Sequence, residues 1–220
     1  MINTILVKKT VKIALFSVIA YMASWVNMSS IVGTVYAFFS LKNGVAPLGG
    51  FFGGAPISIF IFLIGLIARG VSQSLFMILV YHIPGLCASL YWAQKGAFWR
   101  IIVPITCILA FIAHPVGSQA WLYTGYWLIP VALYLLKKDT LVAHAITSTF
   151  IAHAVGSTLF IYGNPMTAEV WLGLIPVVLL ERAVYTGTMI ITYVIIQQGA
   201  ALCMSYVSYK KSKNIVGSNI

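Results

Sequence analysis

Acidic residues are almost missing from this chain. Its 220 residues hold three, Asp139, Glu169 and Glu181, against 13 Lys and Arg, and charged residues of both signs make up 7% of the total. A soluble domain carries about 25% charged residues and is about 45–50% apolar. Here 61% is hydrophobic and the mean hydropathy is +0.99. No soluble fold of this size hides that much apolar surface, so the chain reads as an integral membrane protein. Cysteine is scarce as well. Cys87, Cys107 and Cys203 are odd in number, lie inside apolar runs and form no CxxC. That excludes a disulfide scaffold and a cysteine zinc site, and leaves small packing residues. Catalytic signatures are missing too: no GxSxG, no HExxH, no Cys/His zinc spacing and no acid pair. The chain is therefore expected not to be an enzyme, and the cofactor question stays open.

What is present is base. The formal net charge is +10, but the bases come in short clusters between apolar runs. A nucleic-acid footprint would be a dense patch, so that partner class is excluded. Short basic clusters beside apolar runs are topology signals. Lys8, Lys9 and Lys12 precede an apolar run at 13–26 with no small-residue cleavage site into a soluble domain, which reads as a first anchor helix. Further runs follow at 31–41, 57–68, 71–93, 101–116, 121–136, 141–162 and 170–207. The run at 31–41 is brief beside the roughly 20 residues of an ordinary span. If it crosses, every basic cluster except Arg69 falls on one side. The expectation is one domain over residues 1–220: an all-α, polytopic helix bundle of about six to eight spans, with eight favoured. It sits in the cytoplasmic membrane with both termini inside.

Two stretches resist a plain helix. Pro47-Leu48-Gly49-Gly50-Phe51-Phe52-Gly53-Gly54-Ala55-Pro56 places four glycines between two prolines, which predicts a tight turn or a broken, re-entrant segment. It lacks GK[ST], so it is no phosphate loop. The run at 170–207 is 38 residues long, too long for one straight crossing at 1.5 Å per residue. Either Pro176 breaks it or its end runs past the membrane.

An internal repeat is the most specific feature. Phe111-Ile112-Ala113-His114-Pro115-Val116-Gly117-Ser118 matches Phe150-Ile151-Ala152-His153-Ala154-Val155-Gly156-Ser157 at seven of eight positions. Leu128-Ile129-Pro130-Val131 then matches Leu174-Ile175-Pro176-Val177. The pattern predicts two helical hairpins of the same orientation, about 98–138 and 139–182. Each turns at His-x-Val-Gly-Ser and returns through Ile-Pro-Val, with His114 and His153 at matching depth. Transporter folds are often built from internal repeats, with sites at the repeat interface.

The candidate ligand-binding residues are His114, His153, Trp121, Trp171, Asn164, Glu181, Arg182 and Tyr185. Three readings of His114 and His153 stay open: structural hydrogen bonding, contact with a polar substrate, or ligation of haem or metal. His144 and His153, nine residues apart, face opposite sides of a helix and cannot share a ligand. Glu181-Arg182 inside an apolar run is either functional by default or an interface pair beside a helix break. As neighbours about 100° apart they need not pair with each other. Trp121, Tyr123, Tyr126, Trp127, Tyr162 and Trp171 form either an aromatic belt or the wall of a pocket for a flat ligand. Ala14, Ser17, Ala20 and Ser24 give the first helix a small face, for internal packing or for docking a partner.

Three segments resemble the substrate-binding membrane subunits (S components) of energy-coupling factor vitamin transporters. Lys12-Ile13-Ala14-Leu15 opens a small-faced first helix like that family's docking surface. Ala46-Pro47-Leu48-Gly49-Gly50-Phe51-Phe52-Gly53 is similar to its Pro/Gly-rich junction between helices two and three. Phe150 to Pro176 is similar to its last loop and helix. The resemblance covers about half the chain and implies capture of a vitamin-type small molecule from outside. It also implies a transmembrane coupling subunit and ATPases as partners. The family's helix count of about six and the His-x-Val-Gly-Ser repeat depart from it. The expected function is a small multi-pass transport protein. The alternatives are a haem- or metal-binding membrane subunit using His114 and His153, and a structural or assembly subunit.

Overall fold

The boundaries of the helices follow from local chemistry. Thr140 opens α8 (Leu141–Gly163) by accepting the Ala143 N–H on its hydroxyl at 3.2 Å, and Thr167 opens α9 (Ala168–Gly173) by accepting from Val170. α7 (Ile129–Leu135) and α10 (Ile175–Gly217) both begin Ile-Pro, with proline in the first turn, where its missing N–H costs nothing. The structure is a computed structural model that describes residues 4–26, 40–69 and 75–217. Every regular element among them is a helix. The others are α1 (Thr4–Ser24), α2 (Lys42–Val45), α3 (Gly49–Arg69), α4 (Leu75–Gln94), α5 (Val103–Ala113) and α6 (Pro115–Gln119). A π-helical turn, Phe98–Ile102, leads into α5, and a 3-10 stretch, Trp121–Leu128, leads into α7. Most of the brief run at 31–41 lies outside the described residues.

The Pro/Gly-rich stretch is a broken helix, as its composition predicts. α2 runs through a 3-10 turn into α3, which breaks at Gly54 (φ 76°, ψ −172°), a backbone state open to glycine and strained for other residues. Ser58 donates to the Gly54 carbonyl at 3.2 Å and shares a 2.8 Å bond with Ser89 of α4. At Gly50 a Cβ would sit 1.7 Å from the Ser89 carbonyl oxygen, so α3 and α4 touch backbone to backbone there.

α8 is the central strut. Its Ser148 donates to the Ala88 carbonyl and its His144 bonds Tyr91, so α4 runs antiparallel to it. Thr158 donates to the Cys107 carbonyl and Tyr162 to that of Ala110, so α5 runs parallel to it. One core gathers Phe16, Leu48, Phe52, Tyr91, Trp92 and Met189 from α1 to α4 and α10. The other gathers Phe111, Tyr123, Trp127, Phe150 and Trp171.

The two pairs of matching sequence blocks differ in what they form: one pair shares local backbone angles and the other does not. Leu128 and Leu174 enter their Ile-Pro helices with the same backbone angles, φ −77° and ψ −13°. The His-x-Val-Gly-Ser blocks differ. Pro115 pushes His114 into extended backbone (ψ 138°) and ends α5, whereas Ala154 lets α8 continue to Gly163. The expected second turn at His153 is therefore absent, and that chain turns after Gly163 instead. The matching depth of the two histidines fails with it. The α5–α8 bonds join residues 51 and 52 apart, whereas the repeat offset is 39 (150 minus 111). The difference of 12 to 13 residues displaces the two histidines by about 18 Å.

Three described helices are long and apolar enough to cross a membrane: Lys42–Ile64, Leu141–Gly163 and Ile175–Val207. Phe98–Ala113 is apolar but shorter. The run at 170–207 is broken at Leu174, just before Pro176: α9 ends at Gly173 and α10 starts at Ile175. α10 is continuous for 43 residues, about 65 Å at 1.5 Å per residue and roughly twice the hydrocarbon thickness. The run therefore breaks beside Pro176, and the helix that follows is still longer than one crossing.

Candidate functional site

Several buried polar atoms without hydrogen-bond partners fall in one part of the bundle. Glu181 and Arg182 are each 6% exposed and pair with each other at 2.5 Å, although adjacent helical residues need not. Arg182 also donates to the Thr149 carbonyl of α8 at 3.2 Å and stacks over the Tyr185 ring at 4.9 Å. One helical turn beyond Thr149, His153 is 9% exposed and faces Tyr123 and Trp127, with ring centroids 5.4 and 6.1 Å away. Tyr123 shares a 3.2 Å bond with Ser157 and meets Trp171 edge-on at 4.9 Å. Phe111 closes the cage against Tyr123, Trp127 and Trp171.

Five polar atoms in this region have no hydrogen-bond partner among the described residues: His153 Nε2, Glu181 Oε1, Arg182 Nε, Trp127 Nε1 and Trp171 Nε1. A buried donor or acceptor left unpaired costs about 1–3 kcal/mol. A native structure keeps few such groups, and each calls for an explanation. Glu181 and Arg182 cancel in charge, so the place is neutral overall. It offers three N–H donors, one carboxylate acceptor and an imidazole nitrogen among aromatic faces. That chemistry suits a small, flat, uncharged or zwitterionic molecule with polar edges.

The structure brings together His153, Trp171, Glu181, Arg182 and Tyr185 of the residues read from the sequence. It leaves three apart. His114 caps α6, accepting the Val116 N–H on Nδ1 at 3.3 Å, with its ring against Tyr162 at 5.2 Å. Trp121 is 56% exposed. Asn164 ends α8 and donates back to the Phe160 carbonyl. His114 and His153 therefore do not face one centre, and no group of three or more His, Cys, Asp or Glu among the described residues is placed to hold a metal ion. Ala14, Ser17 and Ser24 lie exposed along α1, and Ala20 is half-buried against the first core.

A second polar cluster, at the end of the bundle that carries Lys95, Lys137 and Lys138, is not foreseen in the sequence. His144 takes 2.6 Å and 2.9 Å bonds on Nδ1 from the Tyr91 hydroxyl and Arg100 Nη2. Its Nε2 meets Asp139 at 2.8 Å. An arginine can only donate, so Nδ1 is the acceptor and Nε2 carries the proton toward the carboxylate. Arg100 also donates from Nε and Nη2 to the Tyr91 oxygen at 3.2 and 3.1 Å and lies 3.6 Å from Asp139. The signal was present in outline: Asp139 is one of three acids, five residues before a histidine. His144 and His153 do face opposite sides of α8.

Comparison of the chain with protein-family models, with curated proteins and with solved structures finds no match.

Proposed function

We propose that this is a small polytopic membrane transport protein whose ligand binds at His153, Glu181, Arg182, Trp127 and Trp171. One observation carries the reading: five unpartnered buried polar atoms from four helical elements, set in or beside one aromatic cage. Polar and ionisable groups inside a membrane are expensive and mark substrate or ion pathways. The broken helix at Gly54 supports it, because transporter sites recur beside discontinuous helices. The bundle crosses the cytoplasmic membrane eight times with its basic end inside, and it performs no catalysis. The exposed residues of the small face, Ala14, Ser17 and Ser24, favour a docked coupling subunit. That partner, with ATPases behind it, is what likeness to S components implies.

The test is thermal stabilisation of the purified protein by a panel of vitamins and nucleobases, in wild type and in His153→Ala. Binding at a hundred times Kd adds about 2.7 kcal/mol. The expected result is stabilisation by at least one compound, lost in the variant. No stabilisation of the wild type by any compound overturns the reading.

A further inference from the structure

Two lysine clusters stand on different helices, far apart in sequence. Lys8, Lys9 and Lys12 are on α1, and Lys210, Lys211 and Lys213 are on α10. The packing of those two helices decides whether the clusters meet. A Cβ built on Gly199 meets the Leu15 side chain at 3.3 Å, so position 15 of α1 lies against position 199 of α10. Beyond the other end of α1, the Leu41 N–H donates to the Val26 carbonyl at 2.9 Å. Gly44 of the adjoining α2 lies against Thr188 and Tyr185 of α10. α1 therefore runs antiparallel to α10. Both helices rise 1.5 Å per residue, so on this register Lys12 is level with position 202 and Lys8 with position 206. Lys210 to Lys213 follow on the same helix. The six lysines thus fall within a band of 11 residues (213 minus 202), about 17 Å along the helix axis. Phe51, which carries the Lys95 ammonium over its ring, meets Tyr193 of α10 at 5.0 Å. The band therefore lies at and beyond the basic end of the bundle.

Three properties of the band point to what it meets. It holds no acid: α1 has none, and Glu181, the one acid of α10, stands 21 residues before position 202, about 31 Å away. It is also apolar. Leu202, Tyr206 and Val207 are 71%, 66% and 54% exposed in the same band as the exposed Lys8 and Lys9. A nucleic acid or an acidic protein segment has no use for that apolar surface, whereas the boundary of a bilayer offers phosphate outside and acyl chain beneath. The depth agrees. Position 202 is 27 residues from the start of α10, about 40 Å, and a bilayer with its headgroups is about 40–45 Å thick.

We infer that the α1–α10 seam is a binding surface for anionic phospholipid of the leaflet at the basic end. Headgroup phosphates meet both lysine clusters, and acyl chains lie along Leu202, Tyr206 and Val207. Clusters of about four to eight bases beside a span recognise anionic lipid. Each cluster here has three, and antiparallel packing joins them into six. The inference does not depend on what the aromatic cage binds.

The test uses the full chain, stripped of lipid in a neutral detergent. Native mass spectrometry counts bound lipid after addition of dioleoyl phosphatidylglycerol or dioleoyl phosphatidylcholine. The wild type binds the anionic lipid more tightly by about tenfold or more. Lys8→Gln, Lys9→Gln and Lys12→Gln together cut that preference by about threefold or more, with phosphatidylcholine binding unchanged. Lys210→Gln, Lys211→Gln and Lys213→Gln together do the same. The corresponding arginine variants keep the preference. Raising ammonium acetate from about 0.1 M to about 1 M, where the Debye length falls from about 10 Å to about 3 Å, weakens it. Lys95→Gln, Lys137→Gln and Lys138→Gln together, which remove as much charge from the same end, leave it in place. Equal binding of the two lipids, a loss from only one of the two clusters, or an equal loss from the Lys95, Lys137 and Lys138 variant overturns the inference. Displacement of the lipid by a polyglutamate peptide assigns the surface to an acidic protein segment and overturns it as well.

Discussion

On α8, His144 has both ring nitrogens engaged, by Tyr91 and Arg100 on one side and Asp139 on the other. His153 stands nine residues further on, in an aromatic cage, with Nε2 unpartnered. Each lies beside an arginine with a carboxylate close by. At the basic end the carboxylate is exposed and the histidine is satisfied. In the interior the carboxylate is buried and the histidine is not. The difference separates two kinds of buried polarity: a closed network ties helices together, and an incomplete one leaves polar atoms unpaired.

The largest effect that sharpens this contrast is at Arg182. Arg182→Met leaves Glu181 as a lone buried charge and lowers stability by about 3–5 kcal/mol. Thermal unfolding in detergent reads it, and adding Glu181→Gln restores most of the loss. His144→Ala comes next. It strands Tyr91 and Arg100 and lowers stability by about 1–3 kcal/mol in the same assay. His153→Leu, which gives up no bond on Nε2, lowers stability by about 1 kcal/mol or less, yet it abolishes stabilisation by any compound that the wild type binds. A larger loss at 153 than at 144 breaks the comparison. The smallest effect is at Asp139. Asp139→Asn changes stability by less than about 1 kcal/mol, because its side chain is mostly in water.

Much of the membrane character and the helix boundaries was legible in the chain. The Pro/Gly stretch forecast a turn or break, found at Gly54, whereas the helix start at Ile129 lies inside what reads as a single run at 121–136. Glu181 and Arg182 stood out because charge is rare in an apolar run. The second hairpin turn was misread because one residue decides it: Pro115 ends a helix by steric conflict with His114, and Ala154 does not. Identity at seven of eight positions hid the eighth. The matched depth of His114 and His153 failed for another reason, since the stagger between α5 and α8 is a packing property with no local signal. The basic-end network was missed because Arg100 and Asp139 resemble ordinary boundary charges. Only their approach in space, with Arg100 and His144 bonded although 44 residues apart, gives them a shared role.

The most direct test of the central claim is magnetic resonance of the imidazole nitrogens in protein carrying isotope-labelled histidine. Signals are assigned through His144→Ala and His153→Ala, and the vitamin and nucleobase panel is added. A compound that stabilises the protein is expected to move the His153 signals and leave those of His144 in place. A stabilising compound that moves His144 while His153 stays unchanged would contradict it.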